Sequence, residues 1–219
     1  MAYVFSDPQN NLAQVAYASN ISSLSHQSVF PDFLRTYPSS SYEGYAIADT
    51  ISKFFQYTRV VLIYTSDLYG SDGASEFNAA AVDMGIQVVA SVTFDPYETN
   101  FGPYIDALSD YDPRVFVLII STLTQGGAVM LYATNSGLFN DGTVVFGTAS
   151  LASRSLWSKI STNTALVRKM MEGFFVIFNA DNDWKVSHRF LSLPLTGRPS
   201  ASSVAYPFSC TYTHSVRDT

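Results

Sequence analysis

Cysteine is nearly missing from this chain: 219 residues contain one, Cys210, so no intrachain disulfide can form and stability has to come from a buried core. Basic charge is also scarce. Twelve Lys and Arg stand against eighteen Asp and Glu, a net charge of −6, and the absence of any Lys/Arg cluster removes the electrostatic footprint of a phosphate-backbone binder. Nucleic acid is therefore not an expected partner. No apolar run approaches the ~20 residues that cross a bilayer; the longest, 115–120 and 174–178, have strand length, so direct membrane insertion is not expected either. Residues 1–8 lack the charged and then apolar pattern of a secretory signal. His26, His188 and His214 lie far from one another and from Cys210, which argues against zinc. Gly-x-Ser-x-Gly, Walker and Gly-x-Gly-x-x-Gly motifs are absent. We expect no catalytic residue, no metal and no cofactor.

What the chain does have is a 47% hydrophobic composition, enough for a sizeable core, arranged as short β-branched runs between longer amphipathic segments. That alternation predicts βα units and an α/β fold with a mostly parallel sheet. Strands are predicted at 15–18, 30–35, 59–64, 86–94, 115–120, 143–146 and 174–178. The run 115–120 is apolar throughout, as a central strand covered on both faces should be. Helices are predicted from Ser41, with Tyr45, Ile47, Ala48, Ile51, Phe54 and Phe55 on one side; over 73–84, with Phe77 and Val82 inward and Gly85 as the cap; and over 103–110, 123–134 and 164–171. Residues 197–219 carry little periodicity and read as a loose tail.

The stretch Phe33-Leu34-Arg35-Thr36-Tyr37-Pro38-Ser39-Ser40, then a helix, a strand and the turn Asp67-Leu68-Tyr69-Gly70-Ser71-Asp72-Gly73, resembles the receptor family ligand-binding region. This is the type I periplasmic-binding-protein fold of natriuretic-peptide receptors, class C G-protein-coupled receptors and ionotropic glutamate receptor amino-terminal domains. The family's lobe 1 strand and Leu-Ser turn are similar to residues 15–20 and Leu24-Ser25. Its crossing segment, Phe-x-Arg-Thr/Val-x-Pro-Ser-Asp, is similar to residues 33–40. The resemblance spans about 13–180. It implies a three-layer sandwich comprising mainly lobe 2 plus the end of lobe 1: 1–40 the end of lobe 1 and the crossover, 41–180 lobe 2, and 181–219 a truncated return segment and tail.

By the same resemblance the chain is a fragment of a receptor ectodomain on the extracellular side, sensing a small-molecule ligand by cleft closure. Its partners are the missing part of lobe 1 and a membrane-anchored remainder. A soluble solute-binding protein of a transport system and a Rossmann-like nucleotide-dependent enzyme are the alternatives.

Ligands of open parallel sheets settle outside the carboxyl ends of strands. The residues just after the predicted strands nominate Ser19, Asn20, Ser66, Tyr69, Thr122 and Thr148 as ligand-binding, although Ser and Thr at such places also serve as helix caps. The resemblance places a ligand-facing tyrosine at Tyr69. It also places an acidic residue in the turn occupied here by Gly147-Thr148-Ala149-Ser150, which has none, and Asp at many members' counterpart of Ser40. The missing acid of that turn argues against an α-amino-acid ligand, whose ammonium calls for a carboxylate. Arg35 reads as structural, pairing with a carboxylate or carbonyls at the crossover. Asn20-Ile21-Ser22 is formally a glycosylation sequon.

Overall fold

The computed structural model describes residues 13–17, 19–151, 166, 170 and 173–177. Of the expected helix over 164–171 only Leu166 and Met170 are among them, and the tail, with Cys210 and His214, lies outside the described residues, as does His188.

Two parallel sheets form. In the small one, β1 (Gln14–Ala16) pairs with β2 (Phe33–Arg35), Val15 opposite Leu34. Residues 30–32, expected to be extended, instead make a turn. Arg35 closes this segment by donating from Nη1 to the Ile21 carbonyl at 2.9 Å and from Nη2 to Ser25 Oγ, the structural role expected of it.

The large sheet has five strands, β3 (Arg59–Thr65), β4 (Gln87–Phe94), β5 (Val115–Ile119), β6 (Val144–Gly147) and β7 (Phe174–Val176), in the order β4-β3-β5-β6-β7. Every pairing is parallel. Helices α1 (Ser40–Asp49) and α2 (Leu68–Asp83) cover one face, meeting Val60, Leu62, Val115, Val117 and Ile119 with Ile47, Ile51, Ala74 and Phe77. On the other face α3 (Gly102–Asp106) and α4 (Leu123–Asn135) meet Val61, Ile63, Phe116 and Leu118 with Ile105, Val129, Met130 and Ala133. Adjacent residues of β3 and β5 thus enter opposite cores, the period-2 consequence of a strand buried on both sides. The fold is α/β, a parallel sheet flanked by helices, as expected.

Expectations for three of the helices need correction. Helix α2 begins five residues earlier than predicted, because Asp67 caps it by accepting from the Gly70 N–H at 3.0 Å. Its buried stripe is Gly70, Gly73, Ala74, Phe77, Ala80 and Ala81. Val82, five residues past Phe77 and so about 140° around the axis, is 78% exposed rather than inward. Tyr45 is also exposed, being two positions from buried Ile47 on a helix. After Asp49 the helix widens into a π-helical turn, Thr50–Phe55, which changes the phase of its stripe. Phe54 is left exposed, while Phe55 packs against Phe146 and Phe175 with centroids 5.4 and 5.1 Å apart. The helix expected over 103–110 is likewise cut short at Asp106, with a separate 3-10 turn at Ser109–Tyr111.

Gly85 and Gly137 follow α2 and α4 at φ +71° and +82°, a region open to glycine at little cost. Gly44 has a different reason to be glycine. A Cβ there would lie 2.9 Å from the Phe77 backbone nitrogen, so α1 and α2 cross in near backbone contact. Gly44→Ala is expected to destabilise the chain by about 1–3 kcal/mol, read as a lower midpoint in urea; an unchanged midpoint would show that the helices can part without cost.

Candidate functional site

The sheet order reverses at β3. The chain runs from β3 outward to β4 and then returns to place β5 on β3's other side, and such a switch point leaves a crevice beyond the strand ends. Its floor is formed by Thr65, Ile120 and Gly147 with the residues after them. Thr65, fully buried, joins the two halves: its Oγ1 donates to Asp67 Oδ1 at 2.8 Å and accepts the Ser121 N–H at 3.2 Å. One strand over, Ser150 Oγ donates to the Ile120 carbonyl at 2.5 Å and lies 3.1 Å from Thr148 Oγ1.

Four of the six nominated residues share this rim. Ser66 is exposed, its N–H held by the Phe94 carbonyl at 2.8 Å. Thr122 is also exposed, at the N-cap of α4, and makes no side-chain capping hydrogen bond, so its hydroxyl is not engaged as a cap. Thr148 is buried. Tyr69 is half-buried in the first turn of α2, with its hydroxyl among those of Thr148 and Ser150. The other two, Ser19 and Asn20, lie after β1. Asn20 is drawn toward the rim by the Ser40 N–H, which donates to its carbonyl at 2.5 Å. Two residues on, Ser22 Oγ lies 2.8 Å from both Asp72 Oδ1 and Glu76 Oε1, and its N–H 2.6 Å from Asp72 Oδ2, clasping the crossover onto α2. The hydroxyl of the sequon is thereby occupied.

The residue missed in the sequence is Glu43. It is 3% exposed and receives the Tyr69 hydroxyl on Oε2 at 3.4 Å. Its Oε1 is buried without a hydrogen-bond partner among the described residues. A signal was present: Glu43, Ile47 and Ile51 are four apart, so a carboxylate sits on the apolar stripe of its helix. Burial pushes the Glu43 carboxyl from the ordinary 4.5 to about 7, and the Tyr69 hydroxyl and the Ala149 N–H only partly oppose this. The Tyr69 hydroxyl is pushed up in turn, by burial and then by the Glu43 charge. Asp67 behaves oppositely. Partial burial raises its pKa, but Ser121, the Gly70 N–H and Thr65 outweigh that and hold it below the usual carboxylate range. Asp67 is committed to capping α2 and Glu43 is not committed to any fold contact of similar strength. Among the described residues no group of three or more His, Cys, Asp or Glu could hold a metal ion, and no helix is long and apolar enough to cross a membrane.

The model of the receptor family ligand binding region matches residues 8–210. The extracellular calcium-sensing receptor of Homo sapiens is 30% identical over 112 residues, 50% of this chain and 10% of that protein. The probable metabotropic glutamate receptor mgl-1 of Caenorhabditis elegans is 33% identical over 97 residues, 44% of this chain and 10% of its own length. For taste receptor type 1 member 3 of Rattus norvegicus the values are 29% over 100 residues, 44% and 12%. The matched segments thus span about a tenth of these relatives.

Because folded Glu43 holds its proton more tightly than the unfolded chain, its contribution to stability is full below pH 4.5 and is lost as pH rises through about 7, a loss of order 3 kcal/mol. Glu43→Gln should flatten that decline in urea-unfolding free energies measured across this window; a mutant that retains the wild-type slope would show that Glu43 is not its source.

Proposed function

Since the chain belongs to the receptor family ligand-binding region, we propose that it forms part of a receptor's extracellular ligand-binding domain and holds a small molecule at the rim of Ser66, Tyr69, Thr122 and Thr148, without transforming it. The observation that carries this is the convergence of that rim on the switch point between β3 and β5, with Tyr69 and Thr148 contributed from separate elements. Hydroxyls and an aromatic ring at strand ends suit hydrogen bonding and stacking to a small polar ligand.

The division into the end of lobe 1 (1–40), lobe 2 (41–180) and a return segment (181–219) belongs to this reading. Parallel sheets are normally covered on both faces, whereas the β1–β2 pair exposes Val15, Leu34 and, just beyond, Tyr17, which is 85% exposed. That surface suits the remainder of lobe 1, contributed by further receptor sequence. Ser19 and Asn20, on the lobe 1 side of the crossover, then face the ligand from the opposite wall. Cleft closure follows if the ligand binds the closed arrangement better than the open one, since only such a difference shifts the population. With most of one wall missing, this chain by itself should bind weakly.

A panel of small polar molecules and nucleotides, screened at millimolar concentration against the isotope-labelled chain by NMR, tests the reading. Shift changes should gather at Ser66, Tyr69, Thr122 and Thr148, and Tyr69→Phe should weaken them several-fold. Perturbations clustering elsewhere, or tight nucleotide binding, would overturn the proposal in favour of a different site or a nucleotide-dependent activity.

A further inference from the structure

Glu43 is a buried carboxylate whose surroundings do not account for it. Tyr69 reaches it only through a long contact of 3.4 Å, the Ala149 N–H is its other donor, and Oε1 is buried without a hydrogen-bond partner among the described residues. The ion pairs among the described residues are Lys53 with Asp49 and Arg114 with Asp112, so none of them involves Glu43. Buried carboxylates are ordinarily paired, because an unpaired one costs several kcal/mol of lost solvation. The turn Gly147-Thr148-Ala149-Ser150 beside it carries no charge of either sign.

We infer that Glu43 is the specificity-determining residue of this rim, accepting a compact cationic head, a primary ammonium, from a carboxylate placed on α1 rather than in the turn after β6. The inference rests on the ligand rim proposed above and names the chemistry of what enters it. Three features narrow the choice. A neutral donor would leave the carboxylate's charge unanswered, whereas an ammonium makes charge-assisted bonds about twice as strong. A divalent cation needs several hard oxygen ligands, and the described residues provide no group of three acidic or histidine side chains. Compactness follows from the approach, since Tyr69 and Thr148 flank the carboxylate and Glu43 itself is 3% exposed. The absent acid of the 147–150 turn therefore does not remove cation recognition from this chain; it moves the carboxylate to another element.

The test is an NMR titration of the whole chain carrying 13C-labelled glutamate, above the pKa of Glu43, with L-alaninamide, L-lactamide and calcium chloride. Alaninamide and lactamide differ in an ammonium against a hydroxyl. Alaninamide should move the Glu43 carboxyl signal together with Tyr69 and Thr148, and lactamide should bind at least about tenfold more weakly. Glu43→Gln, which removes a buried charge and should fold, should lose alaninamide by a similar factor. Equal binding of the two amides, or an unchanged Glu43→Gln, would overturn charge selection and leave the rim reading standing. A Glu43 response to calcium without one to alaninamide would overturn the ammonium assignment. Failure of every probe to move Tyr69 or Thr148 would overturn the rim and the inference together.

Discussion

The parallel ladder that sets β5 between β3 and β6 governs the rest of this molecule. Because every strand of the large sheet points the same way, each connection has to cross back over a face, and α2 and α4 begin at the same edge. β5 itself is buried at all five positions, and alternate residues anchor the two cores. Its neighbours are held at the rim by one hydroxyl, Thr65, bonded at once to Asp67 and to the Ser121 N–H. Fix those contacts and the polar residues after three strands face one crevice.

The rim contains two kinds of carboxylate, and their environments separate their roles. Asp67 is stabilised as an anion by the backbone and hydroxyls it caps. Glu43 has been carried by α1 into the apolar layer, where desolvation dominates. A fold does not need the second kind, since a neutral side chain of like size would pack there without the penalty. Its presence beside Tyr69 is therefore not something that stability of the fold calls for.

Much of this was legible before the coordinates. Residues 115–120 announced a central strand because an uninterrupted apolar run suits burial on both faces. Gly85 marked a helix end, and its positive φ suits glycine. The places of Ser66, Thr122 and Thr148 just beyond strands could be read from the strand pattern. Other features resisted for identifiable reasons. Val82 cannot share the inward face of Phe77 because five residues of helix turn it about 140° away, and it is exposed. Phe54 and Phe55 were assigned one face because a π-helical turn has no sequence signature in a single chain. Glu43 gives little sign in the sequence, because a lone acid beside apolar helix positions resembles an exposed one.

By itself the sequence determined the alternation of strand and helix, the parallel sense that follows from it, and the family, since all three depend on local periodicity and on the order of short motifs. Tertiary structure alone decided which ends meet. Residues 43, 69 and 148 are separated by tens of positions, and only the reversal of strand order at β3 and the near-contact of α1 with α2 at Gly44 bring them together. Contact across such distances is a property of how layers stack, which no stretch of sequence records.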